Sequence, residues 1–192
     1  KVIVARPFLW LAGVLPVYRT ADGDRATDNA SVFDACHREL AQRAIVAIFP
    51  EGTTGDRAGL DRVKSGAARI ALGALPTAPD VVIVPVGMAF ESKVETRSRA
   101  VVMFGEPITV AEFAGIGLGA DGEPDRSDAE ALTARITDAL EEVSPHFASL
   151  DEREMLRAAA REERSAATGD VEVSFGDAEV VARRLAATEP AA

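Results

Sequence analysis

Six apolar residues, Ala44-Ile45-Val46-Ala47-Ile48-Phe49, run without a gap into Pro50-Glu51-Gly52-Thr53-Thr54. An apolar run of that length, rich in β-branched residues, has the pattern of a strand covered on both faces. Proline then removes a backbone donor, glycine permits a turn, and one carboxylate is left at the strand's C-terminal edge. Open α/β sheets bind their ligands in the crevice beyond that edge. Glu51 is therefore the first candidate functional residue. An ordinary strand-to-helix turn is the competing account, and the specific order of these residues counts against it.

The rest of the first half alternates between strand and helix patterns. Lys1–Ala5 and Val14–Tyr18 read as strands, separated by a short helix or turn from Pro7, and the Asp-rich Thr20–Asn29 reads as a loop. Ser31–Arg43 predicts a helix with Val32, Cys36 and Leu40 on one face. After a loop over Gly52–Leu60, Arg62–Ala74 predicts another, with Val63, Ala67, Ile70 and Ala71 inward. Val81–Pro85, continuing toward Phe90, and Ala100–Phe104 read as strands. This alternation predicts an α/β fold, a largely parallel central sheet with helices on both faces.

Residues 111–192 read differently. Gly115-Ile116-Gly117-Leu118-Gly119-Ala120 superficially matches a dinucleotide-binding fingerprint, but Asp121-Gly122-Glu123-Pro124-Asp125 follows in place of a helix, which makes it a connector. Ser127 with Glu130 forms a capping box for a helix running toward Val143. Asp151–Ala167 is a charged, Ala-rich helix pattern, and the signal after Gly169 is weak. Charge divides at the same place. Residues 1–110 hold 13 Lys and Arg against 12 Asp and Glu, whereas residues 111–192 hold 8 against 19. The expected organisation is a motif-bearing domain over 1–110 and an acidic, mostly helical extension over 111–192.

Composition excludes several classes. With a net charge of −10 the chain is poorly suited to nucleic acid as a partner. Cys36 stands alone, so no internal disulfide forms, and a reducing compartment is expected. Two scattered histidines and one cysteine make no metal site of recognised spacing, and Asp22, Asp24 and Asp28 lack the closing Glu of a calcium loop. No metal and no cofactor are expected. The most apolar stretch, Phe8–Val17, is about half of the roughly 20 residues that a spanning helix needs. Phe8, Leu9, Trp10 and Leu11 suit a helix packed on the sheet, with a membrane-surface patch as the second account.

Phe49–Thr54 resembles the third motif of the glycerophospholipid acyltransferase superfamily, whose members acylate glycerol-3-phosphate and lysophosphatidate. Gly13-Val14-Leu15-Pro16-Val17-Tyr18-Arg19 resembles the second motif, a strand ending in arginine, and Val84-Pro85-Val86-Gly87 the fourth. Lys64–Leu72, and Arg97-Ser98-Arg99 leading into Phe104–Ile108, look more like the branch acylating glycerol-3-phosphate or dihydroxyacetone-phosphate. The resemblance covers roughly residues 1–110. It implies an O-acyltransferase of phospholipid synthesis, taking its acyl chain from acyl-CoA or acyl carrier protein. It also implies a cytoplasmic protein, peripheral at the cytoplasmic face of a membrane.

The same resemblance implies that Glu51 and Gly52 bind the glycerol-phosphate with Arg19 contributing, since a planar guanidinium fork matches phosphate oxygens. Thr53 either donates its hydroxyl there or caps the turn. Pro85 shapes the acyl-donor side or simply ends a strand. Lys64, Arg69 and Arg97 are phosphate or coenzyme contacts, or solvated charges.

One piece of the family pattern has no counterpart. The first motif, His-x-x-x-x-Asp, supplies the general base and its orienting carboxylate and belongs upstream of Arg19, yet Lys1–Ala12 contains neither residue. The expectation is an N-terminally incomplete piece, inactive alone, whose base stands before Lys1. His146-Phe147-Ala148-Ser149-Leu150-Asp151 has the spacing but follows the fourth motif, and residues five apart on a helix do not share a face. His37 has Gln42 at the fifth place. The alternative is a non-catalytic module that binds phospholipid or glycerol-phosphate and has lost the base.

Overall fold

The computed structural model describes residues 29–53, 57–92, 94–115, 124–144, 147–168 and 174–188. The expected strands Lys1–Ala5 and Val14–Tyr18 lie outside the described residues, as do Arg19, Thr54 and His146.

Helix α1 spans Asn29–Ala41. Its Val32 and Cys36 are buried and Leu40 packs beside them, as their spacing of four requires, against Ile70 of α2 and Val46. Helix α2, Gly66–Ala74, starts four residues later than expected. The reason lies just upstream: the Lys64 amide donates to the Pro50 carbonyl at 3.0 Å and holds that segment extended.

Strand β1 is Val82–Ile83 and β2 is Val86–Phe90, so the expected continuous strand is interrupted at Val84-Pro85. Proline has no amide hydrogen to continue a ladder. Strands β3, Ala100–Phe104, and β4, Ile108–Thr109, complete the set. Pairing is antiparallel throughout the described strands, β2 with β3 from Val86↔Phe104 to Phe90↔Ala100 and β1 with β4. This departs from the parallel sheet anticipated for these segments. Only residues 91–99 separate β2 from β3, and a parallel crossover needs a dozen or more.

A 3₁₀ turn over Val110–Phe113 leads toward helix α3, Arg126–Val143. The helix starts one residue before Ser127, because Asp125 is the cap and accepts the Ser127 amide. Glu130 instead pairs with Arg126. Leu132, Ile136, Ala139, Leu140 and Val143 of α3 meet Val63, Ala68, Leu72, Ile108 and Val110 in the main core.

Helices α4, Leu150–Thr168, and α5, Phe175–Thr188, form a second core of Phe147, Leu156, Ala160, Ala178, Val181 and Ala182. Between them Glu179, fully buried, accepts from the Arg157 Nε at 2.7 Å, and the Arg157 guanidinium lies over the Phe175 ring. Where the sequence signal was weak, the structure has a well-packed helix. Among the described residues, no helix is long and apolar enough to cross a membrane.

The run Ala44–Phe49 is extended but pairs with no other strand among the described residues. Ala44 and Val46 face inward, whereas Ile45 is 95% exposed, Phe49 73% and Ile48 40%. The run is therefore largely open, where the sequence predicted cover on both faces.

Candidate functional site

The turn after Phe49 closes when the Gly52 amide donates to the Phe49 carbonyl at 3.1 Å. Gly52 itself has φ +63°, a left-handed conformation in which a side chain is strained. A Cβ there would lie 2.7 Å from the Lys64 Nζ, so a side chain would have to displace that flexible lysine end. The glycine thus brings a cation against the motif's backbone.

Glu51 is half-buried, and its Oε2 accepts the Asp61 amide at 2.8 Å. The Asp61 carboxylate accepts from the Thr53 hydroxyl at 3.2 Å and from the Arg57 guanidinium. The structure therefore gathers Glu51, Gly52, Thr53 and Lys64, and adds Asp61 and Arg57. Neither addition was singled out from the sequence, although their spacing of four and opposite charge were a readable signal.

The remaining candidates are placed separately. Arg69 is on α2, its guanidinium 5.1 Å from the centre of the Phe33 ring of α1. Arg97 sits in the β2–β3 hairpin, also left-handed at φ 66°, and lines an open hollow of about 350 Å³ with Phe90, Ser92, Glu95, Ser98 and Ala100. Pro85 is buried at the break between β1 and β2, where its carbonyl accepts the Gly105 amide at 2.9 Å. His37 is engaged elsewhere: its Nε2 is 3.1 Å from the Ile70 carbonyl, and its ring lies over Gly73. No group of three or more potential metal ligands occurs among the described residues.

The chemistry available here is hydrogen bonding and ion pairing with a small polar molecule. An ammonium, a hydroxyl and a carboxylate stand around one turn that a left-handed glycine shapes.

Residues 1–89 match the family model described as "Acyltransferase". Glycerol-3-phosphate O-acyltransferase 2 of Saccharomyces cerevisiae is 34% identical over 140 residues, which cover 70% of this chain and 18% of that protein. Glycerol-3-phosphate O-acyltransferase 1 of the same yeast is 42% identical over 85 residues, 43% of this chain and 11% of the relative. An uncharacterized acyltransferase of Schizosaccharomyces pombe is 36% identical over 85 residues, 43% of this chain and 13% of its own length. No solved structure matches the chain significantly. These matches place residues 1–89 in the acyltransferase family. The chain belongs to the glycerophospholipid acyltransferase superfamily and spans less than a fifth of the length of these relatives.

Proposed function

We propose that the complete protein moves an acyl chain from acyl-CoA or acyl carrier protein to a hydroxyl of glycerol-3-phosphate, or of lysophosphatidate, in phospholipid synthesis. The observation that carries this reading is the meeting of Glu51, Thr53 and Lys64 around left-handed Gly52. The names of the yeast relatives favour glycerol-3-phosphate as the acceptor.

In this reading Lys64 and Arg19 hold the phosphate, while Glu51 accepts a hydrogen bond from a glycerol hydroxyl and Gly52 lets the backbone approach. Thr53 supports the turn, Arg69 and Arg97 are outer phosphate or coenzyme contacts, and Pro85 shapes the donor side. A histidine of the His-x-x-x-x-Asp pattern takes the proton from the acceptor hydroxyl as its oxygen attacks the thioester carbonyl carbon. Amide donors stabilise the oxyanion, the C–S bond breaks, and the sulfur leaves as the thiol on receiving that proton. His37 is no candidate for this base, since its ring nitrogen is tied to Ile70.

The 192 residues alone are therefore expected to bind but not to turn over. In the complete protein, Ala44–Phe49 is the central strand of a parallel sheet, a reading supported by the exposed apolar side chains of Ile45 and Phe49, which alternation places on one side of the run. Residues 1–110 carry the chemistry at the cytoplasmic surface of a membrane, and the acidic residues 111–192 face away from its anionic headgroups.

The test is Glu51→Gln in the complete protein. The expected result is a rise of roughly tenfold or more in KM for glycerol-3-phosphate, with the KM for the acyl donor unchanged. Unchanged kinetics would remove the assignment.

A further inference from the structure

Asp61 lies outside every motif of the family, yet three of the interactions that shape the motif turn end on it. Its amide donates to the Glu51 Oε2, its carboxylate accepts from the Thr53 hydroxyl, and the same carboxylate pairs with Arg57. The two halves of the residue act on different partners. The backbone amide reaches Glu51 only if the segment around residue 61 folds back over the turn, and the side chain ties both Thr53 and Arg57 to that segment.

We infer that Asp61 is a positioning residue for acceptor binding: its side chain fixes the returning segment so that its own amide commits the Glu51 Oε2, and Oε1 is left for a hydroxyl of the acceptor. The inference rests on the reading of Glu51 as an acceptor-binding group. A carboxylate with one oxygen held by a fixed amide keeps a single orientation, and its other oxygen then meets the substrate without reorganisation. Loss of the side chain would leave the amide in place chemically but free to swing away.

The location supports a role in geometry over one in bulk stability. The adjoining Ala58 is anchored independently, its carbonyl accepting the Phe147 amide at 2.9 Å, and it packs with the second core. The far end of the segment is anchored by the Lys64 amide on the Pro50 carbonyl. Between these two fixed points, Asp61 sets how the segment lies against Glu51.

The experiment is a double-mutant cycle in the complete enzyme with Glu51→Gln, Asp61→Ala and the pair, measuring KM for glycerol-3-phosphate and for the acyl donor. Asp61→Asn is measured alongside, because its one oxygen can still accept from Thr53 while the charge and the acceptor facing Arg57 are lost. Asp61→Ala is expected to raise the acceptor KM several-fold with the donor KM unchanged, and Asp61→Asn to recover most of that loss. The pair is expected to be no worse than Glu51→Gln alone, because a residue acting through Glu51 has nothing left to position. An acceptor KM within twofold of wild type for Asp61→Ala, with Glu51→Gln impaired, overturns the inference and leaves the site reading intact. Losses that multiply in the pair, or that fall equally on both substrates, overturn it too. If Glu51→Gln is itself silent, both readings fall together.

Discussion

The carbonyl oxygen of Val143, at the end of α3, lies where a side chain on Gly87 of β2 would begin. The fourth-motif glycine is thus the place where the helix end passes closest to the sheet. A Cβ there meets backbone, which has no rotamer to yield. Gly87→Ala is expected to cost at least the roughly 1–3 kcal/mol of an overpacked core. Gly66→Ala is the control, since a Cβ at that position meets nothing within 4 Å and lies in a helix, where alanine gains up to about 1 kcal/mol. Urea midpoints that rank the two variants the other way would refute this account of the fourth motif.

Gly52 is a different case, because its neighbour is the flexible end of a lysine. Gly52→Ala places alanine in a left-handed conformation, at a cost of about 1–2 kcal/mol, and pushes the Lys64 ammonium aside. The complete enzyme should keep its fold and lose most of its use of glycerol-3-phosphate. Near-normal acceptor kinetics in a folded Gly52→Ala protein would show that the backbone approach is not needed.

The pairing of Arg157 with Glu179 should behave as a buried ion pair does. Glu179→Ala leaves a guanidinium that is 5% exposed with only its longer, 3.4 Å contact to Glu154, and should destabilise toward the lower end of the roughly 3–5 kcal/mol of a broken buried pair. Replacing both, as Arg157→Met with Glu179→Leu, should cost much less, because no uncompensated charge remains. Thermal melts of the single and double variants decide the point: a double variant that loses as much as Glu179→Ala refutes the buried-charge account, and one that loses more shows that the Arg157 contact with Phe175 dominates.

Acid should weaken the start of α3 in a readable way. Hydrogen bonds from Ser127, side chain first and amide second, hold the Asp125 carboxyl below its ordinary range. With the folded value depressed, this cap stabilises the protein above the unfolded Asp value, near pH 4, and the benefit is lost as pH falls through the folded value. Asp125→Asn keeps an acceptor without a proton to gain. Its melting temperature should therefore fall less steeply than wild type below about pH 4; parallel curves would rule the cap out as an acid-sensitive element.

Legibility in the sequence followed the physics of each segment. Val32, Cys36 and Leu40 announced α1 because a repeat of four puts all three on one side of a helix and scatters them on a strand. The motif turn was readable from Glu51 and Gly52, but Asp61 was not, since its part is played as much by its amide as by its carboxylate. Ser127 looked like a cap and Asp125 took the position, as both residues serve and only the backbone chooses. Helix α5 gave a weak signal because Ala178 and Ala182 fill its buried face alongside Val181, and alanine marks a helix without marking a side. The antiparallel pairing of β1 to β4 turned on the short return between β2 and β3, which alternation of strands and helices does not reveal.

The main core also sets an order of events during synthesis. Val63, Leu72 and Ile108 leave the ribosome well before Leu132, Ile136 and Val143, the residues they pack against. Until α3 emerges, β2 and α2 hold an open apolar seam, with Gly87 still waiting for the helix end that it was shaped to receive. A nascent chain halted before residue 126 would already contain the Glu51 turn yet lack the helix that completes the main core. Chaperone occupancy should be greatest over that interval and fall once Val143 is clear, so the last residues of this stretch govern when its first apolar surfaces are covered.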